Sequence, residues 1–187
     1  MPKQLIIGLT GTQGSGKDTV ADWFKDQGFA YFSCSDIIRQ ECGFRQLETN
    51  RDNLIMIGND LRKNFGHGIL AEKILQQINE KNINRALVVS LRHPDEIVAL
   101  KKSKNFFLIN VDADQQTRFQ RIKQRGRLED SVDFIKFAQQ EAQERTGSAN
   151  QQQLNSVMAL ADFTITNDGS LAELQQKINQ LYQKINL

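Results

Sequence analysis

Short continuous apolar runs punctuate this chain at wide intervals. Leu5 to Leu9, Ala86 to Leu91 and Phe106 to Val111 have no polar alternation, the pattern of strands covered on both faces. Phe29 to Ser33 and Phe163 to Thr166 read as shorter strands. Between them the apolar spacing becomes helical. Val20, Ala21, Trp23 and Phe24 define a helix ending near Gly28, and Ser35 is placed to cap another that starts at Asp36. Leu54, Ile57 and Leu61 mark the next helix, which Gly66-His67-Gly68 separates from one running from Ile69 to about Lys81. Further helices are expected after Pro94 to about Lys102, from Asp114, from Asp133 to Glu144 and from Leu154 to Leu160. A last one, capped by Ser170, carries Leu171, Leu174, Ile178, Leu181 and Ile185 on one face. Strands alternating with helices predict an α/β, three-layer αβα architecture around a mainly parallel five-stranded sheet.

At 187 residues, the chain fits one domain spanning 1–187. Its 39% hydrophobic and 25% charged content is that of an ordinary globular protein. The net charge of +2 is too small to argue for a nucleic-acid or membrane partner. The first apolar run is too short for a signal peptide or membrane span. Cys34 and Cys42 make no CxxC pair, so reduced thiols and a cytoplasmic location are expected.

The chemistry concentrates in Gly11-Thr12-Gln13-Gly14-Ser15-Gly16-Lys17, directly after the first strand and opening a helix. A triphosphate leaving water needs many short N–H donors in exchange for its hydration. Gly11, Gly14 and Gly16 free the backbone to wrap it, the helix start offers unpaired N–H groups, and Lys17 adds a point charge. Ser15 lies within the same loop. Position 18, where Mg²⁺ is usually held by Ser or Thr, is Asp18, followed by Thr19. Asp18 either joins Thr19 in holding Mg²⁺ or serves the helix start and faces away.

The chain resembles P-loop nucleoside-monophosphate kinases and dephospho-CoA-kinase-like proteins. It is most similar to the branch with a Gly-Lys-Asp-Thr loop. That branch includes phage deoxynucleoside monophosphate kinases, archaeal relatives and the kinase-like domain beside some deoxycytidylate deaminases. The resemblance runs through Gly11 to Asp22, Ser35 to Arg39, Gly58 to Arg62, Leu91 to Glu96, Arg118 to Arg127, and Ala161-Asp162 through Asn167-Asp168-Gly169, nearly the whole chain. It implies a P-loop NTPase fold with acceptor-binding helices at about 34–82 and a helical lid at about 118–150. ATP and Mg²⁺ would be the cofactors.

By the same resemblance, Asp36 and Arg39 contact the acceptor nucleotide, joined by Arg62, and Arg92 holds its phosphate. Arg121 and Arg125 belong to a lid that brings arginines over the moving phosphoryl group, with Arg127 assisting. Asn167 and Gly169 belong to the loop near adenine. The bare residues allow plainer roles: Arg118 to Arg127 as a solvated basic face, Arg62 as a surface partner of Asp60 or Glu72, His67 and His93 as structural histidines, and Glu141 and Glu144 as solvent-facing. Relatives place a carboxylate at the end of the third strand. Here Val88-Val89-Ser90 stands in its place. Asp18 or Asp36 supplies the missing group, with Asp112 and Asp114 as remoter candidates, or turnover has been lost. The expected function is an ATP-dependent kinase of a small (deoxy)nucleoside monophosphate. Dephospho-CoA kinase and a non-catalytic nucleotide-binding regulator are the alternatives, with a monomer or homodimer as the assembly.

Overall fold

The computed structural model describes residues 4–125, 133–146 and 152–185. The five strands are β1 (Leu5–Gly11), β2 (Ala30–Ser33), β3 (Arg85–Val89), β4 (Phe106–Asp112) and β5 (Phe163–Thr166). They form one sheet in the order β2-β3-β1-β4-β5, and every neighbouring pair is parallel. The helices are α1 (Lys17–Asp26), α2 (Cys34–Phe44), α3 (Arg51–Phe65), α4 (Ile69–Glu80), α5 (Pro94–Leu100), α6 (Gln115–Arg125), α7 (Phe134–Arg145), α8 (Leu154–Ala159) and α9 (Leu171–Ile185).

The apolar runs are continuous because the sheet is covered twice. Alternate residues of one strand feed two separate cores. Ile6, Val88 and Leu108 pack with α2, α3, α4, α5 and α8, whereas Ile7, Leu87 and Ile109 pack with α1 and α9. A third, small cluster of Phe119, Ile122 and Phe137 joins α6 to α7. This is the three-layer αβα arrangement. The order also places β1 between β3 and β4, so the loop after β1 emerges at the point where connections diverge. Open parallel sheets bind ligands there.

Two local expectations are corrected. Ser35 does not cap α2, because that helix already begins at Cys34 behind the extended Ser33. The third strand stops at Val89 rather than Leu91, since Ser90 has φ 62° and cannot continue a strand. Ser170 and Glu173 do exchange the expected hydrogen bonds: Glu173 Oε2 accepts from the Ser170 N–H at 2.6 Å, and Ser170 Oγ accepts from the Glu173 N–H at 3.3 Å. The described residues contain no helix long and apolar enough to cross a membrane. Cys34 and Cys42 are both buried free thiols, and burial pushes the Cys34 thiol well up, so it stays protonated.

Candidate nucleotide and phosphoryl-transfer site

The loop from Gly11 to Lys17 turns off the end of β1 and feeds directly into α1. Gly16 is the residue before the helix and has φ 96°, a conformation that disfavours any side chain. An added Cβ there would also overlap the Asn167 amide, and one at Gly14 would lie 2.7 Å from the Arg118 carbonyl oxygen. Close packing of the loop against its own scaffold therefore demands these glycines, in addition to the room a ligand needs.

Three contacts hold the loop from behind. Thr12 Oγ1 donates to Asp112 Oδ1 at 2.5 Å, tying the loop to the end of β4. Asn167 Nδ2 donates to the Ser15 carbonyl at 2.8 Å from a buried position beyond β5. Arg118 Nη1 donates to the Gln13 carbonyl at 3.3 Å. Asn167 also accepts, through its own carbonyl, a 2.9 Å hydrogen bond from Arg121 Nη1. One amide residue thus couples the loop to α6. Gly169, two positions on, packs against Glu173 rather than against the loop.

Lys17 opens α1 and folds back to donate to the Thr12 carbonyl at 2.5 Å. Burial pushes its ammonium down to about 7, helped by the nearby positive charge of Arg92 and opposed by Asp18 and Glu144. Those influences identify the site's inner charges. Besides Lys17 they are two guanidinium groups, Arg92 and Arg118, and two carboxylates, Asp18 on α1 and Glu144 on α7. Among the described residues Ser15 Oγ, buried in the loop, has no hydrogen-bond partner, a hydroxyl available to an incoming oxygen ligand. Asp18 is exposed and Thr19 half-buried in the first turn of α1. These are hard oxygen donors of the kind Mg²⁺ takes, so this helix start suits the cation.

Arg92 is the best-defined of the expected acceptor residues. It sits past the end of β3 with its N–H donating to Glu96 Oε2 at 2.7 Å and its carbonyl accepting from the Gln153 N–H at 2.8 Å. Its Nη1 donates to Glu144 Oε2 at 2.8 Å and to Gln152 Oε1 at 2.6 Å. Asp36 and Arg39 pair with one another at 2.6 Å on α2, both half-exposed. Burial raises the Tyr31 phenol, reinforced by the charges of Asp36 and then Asp18, which places both carboxylates near that ring. Arg125 is exposed at the end of α6, and Arg127 lies outside the described residues.

Several expectations change here. Arg62 is neither an acceptor contact nor a surface partner of Asp60 or Glu72. It is 4% exposed and ion-paired at 3.0 Å to Glu96, itself fully buried. Glu141 and Glu144 do not face solvent. Glu141 is buried and accepts from Arg118 at 2.8 and 3.1 Å and from Arg145 at 2.8 Å, while Glu144 holds Arg92. Arg118 is 1% exposed, which removes it from any solvated basic face. His93 caps α5, its Nδ1 accepting from the Asp95 N–H at 3.2 Å. His67 and Asp95 lie close to it, with His67 Nδ1 at 3.2 Å from Asp95 Oδ2. Glu144 and Gln152 reach Arg92 from within the long β4–β5 connection, and Asp112, a remoter carboxylate candidate in the sequence, reaches Thr12 from the last position of β4; linear spacing gave no sign of these meetings.

Comparison with known proteins bears on family and fold. Residues 7–147 match the family model described as an AAA domain. A UPF0200 protein of Hyperthermus butylicus is 30% identical over 97% of this chain and 95% of its own length. Another, from Methanocaldococcus jannaschii, is 30% identical over 97% and 90%. Among solved structures, shikimate kinase from Bacteroides thetaiotaomicron superposes with a TM-score of 0.61 at 13% identity, covering 98% of this chain and 99% of that one. Shikimate kinase from Acinetobacter baumannii, in complex with shikimate, gives 0.59 at 19% identity, covering 100% and 97%. Those likenesses are of fold. With its glycine loop, αβα sheet order and full-length relatives, the chain belongs to the UPF0200 family and carries an AAA domain of P-loop, kinase-like fold.

Proposed function

We propose that this protein is an ATP- and Mg²⁺-dependent phosphotransferase whose acceptor is a small nucleotide, a nucleoside or deoxynucleoside monophosphate. The observation that carries the reading is the meeting of Lys17 and Arg92. They come from the loop after β1 and the end of β3, and Arg92's charge bears on the Lys17 ammonium. In the free protein Arg92 is held by Glu144 and Lys17 by the Thr12 carbonyl, and a polyphosphate opposite an acceptor phosphate is an anion that both cations can take.

In the proposed reaction an acceptor phosphate oxygen attacks the γ-phosphorus of ATP. The bond from that phosphorus to the β-bridging oxygen breaks, and ADP departs carrying the charge. Lys17 and the loop N–H groups hold the β- and γ-phosphates, Arg92 holds the acceptor, and Arg121 and Arg125 serve from the lid side. Asp36 and Arg39 extend the acceptor side from α2. Asn167 supports the phosphate loop from behind through the Ser15 carbonyl. Mg²⁺ would be held by Asp18 and Thr19 and would neutralise charge between the two transferring phosphates. An attacking phosphate oxygen is already ionised near neutral pH, so this acceptor class needs no general base, and the neutral Val88-Val89-Ser90 end of β3 becomes tolerable.

The test is turnover with Mg-ATP against a panel of ribo- and deoxynucleoside monophosphates and dephospho-CoA, following ADP. Acceptor-dependent ADP with a monophosphate is expected. Turnover only on dephospho-CoA would move the acceptor to a hydroxyl. Tight ATP binding with no turnover on any acceptor would leave a nucleotide-binding regulator.

A further inference from the structure

Arg92 is gripped asymmetrically. Glu144 Oε2 and Gln152 Oε1 both take the same nitrogen, Nη1, at 2.8 and 2.6 Å. Among the described residues the Nε–Nη2 edge has no hydrogen bond, and the side chain is 30% exposed, so that edge is not sealed in the core. The backbone is clamped as well, with Glu96 accepting from the Arg92 N–H and the Gln153 N–H donating to the Arg92 carbonyl. A long, rotamer-rich side chain is thus held at one corner while its two-donor edge remains available.

We propose that Glu144, assisted by Gln152, is the positioning residue that aims Arg92, so that its Nε–Nη2 edge makes a two-point contact with a phosphate monoester on the acceptor. The inference deepens the phosphotransferase reading and rests on it. It narrows the acceptor to one that carries a terminal phosphate rather than only a hydroxyl. Two parallel N–H donors match a pair of phosphate oxygens, whereas a single hydroxyl uses one of them.

Charge balance supports an aiming role over simple attraction. Glu144 is paired with Arg92 and so already offsets its charge before any ligand arrives. Removing Glu144 would make the site more positive, and bulk attraction alone would then strengthen phosphate binding. Aiming predicts the opposite for a truncation. It also separates charge from geometry, since glutamine at this position keeps one oxygen for Arg92 Nη1 while removing the charge.

The experiment uses the full chain saturated with Mg-AMP-PNP, which occupies the loop after β1, and titrates inorganic phosphate by ³¹P line broadening. Glu144→Ala is expected to weaken the phosphate site about 10-fold, as a misplaced contact does. Glu144→Gln is expected to retain it within about 2-fold. A parental circular dichroism spectrum and retained saturation by Mg-AMP-PNP would show that both variants fold and keep the loop intact. Equal or tighter phosphate binding in Glu144→Ala would overturn the proposal. A loss in Glu144→Gln as deep as in Glu144→Ala would overturn it too, because the oxygen kept for Arg92 Nη1 would then have aimed nothing. Arg92→Ala separates this from the underlying reading. If phosphate binding survives without Arg92, the acceptor assignment itself fails, whatever Glu144 does.

Discussion

Arg62 Nη2 donates to Glu96 Oε1 at 3.0 Å with both side chains closed off from solvent. The other Glu96 oxygen accepts the backbone N–H groups of Arg92 and His93 at 2.7 and 3.0 Å. A pair on α3 and α5 therefore fixes the turn that carries Arg92. Arg62 acts on the site at one remove, by holding the carboxylate that holds that turn.

The stability consequence is direct. Arg62→Ala leaves Glu96 charged and buried with only its two N–H donors, and breaking a buried pair in this way costs about 3 kcal/mol. Urea unfolding should show that loss. The double variant Arg62→Ala with Glu96→Gln should recover part of it, because a neutral amide still offers an oxygen to the turn. A single variant within about 0.5 kcal/mol of the parent would show that the pair contributes little.

Lys17 makes nucleotide binding a proton-coupled event. Its folded pKa of about 7 lies below the ordinary 10.5. Between those values the unfolded chain binds the extra proton, so the stability of the free protein rises with pH across that window. Bound polyphosphate restores the ammonium and reverses the shift. Calorimetry of ATP binding near pH 8, in buffers of differing ionisation heat, should register uptake of about one proton. In Lys17→Met the uptake should vanish along with tight binding. Binding heat independent of buffer in the parent protein would contradict the shift.

Much of this was written in the chain. Continuous apolar runs at Leu5, Ala86 and Phe106 marked buried parallel strands, and Gly11 to Lys17 marked the phosphate loop. Both signals are local, since covalent spacing alone sets them. Burial of charge was illegible for a matching reason. Arg62 and Glu96 are 34 positions apart, and Arg92 and Glu144 are 52 apart. In a linear reading each such residue is one more polar position on an amphipathic helix. Only packing shows that Arg118 is 1% exposed beneath α7, or that Glu141 faces inward. The Ser90 turn escaped notice because a left-handed conformation at serine has no composition cue.

The α6–α7 junction should govern acid sensitivity. Burial pushes the Glu141 carboxyl up, but hydrogen bonds from Arg118, Gln115 and Arg145 outweigh it and leave the group below its ordinary 4.5. A depressed carboxylate contributes stability that is present above the unfolded value and lost as pH falls through the folded one. Urea midpoints from pH 6 to 3 should therefore fall less steeply in Glu141→Gln, which should also be weaker at pH 7. Parallel profiles for the two proteins would remove Glu141 from the acid response.

Asn167 offers the sharpest distinction between scaffold and ligand contact. Its side chain donates to the Ser15 carbonyl, its N–H donates to the Asp112 carbonyl at 2.8 Å, and its carbonyl receives Arg121. Only the first of these is lost in Asn167→Ala, so the strand and lid connections remain. The Ser15 carbonyl would then lose a buried donor, at about 1–2 kcal/mol, and the loop would lose the contact that packs against Gly16. AMP-PNP affinity should fall about 10-fold, while fold content by circular dichroism is unchanged. A residue whose task was adenine contact would respond differently: its loss would erase the preference for ATP over GTP and spare the binding of inorganic triphosphate. Asn167→Ala should instead weaken ATP, GTP and triphosphate alike, because the defect lies in the phosphate loop that all three share.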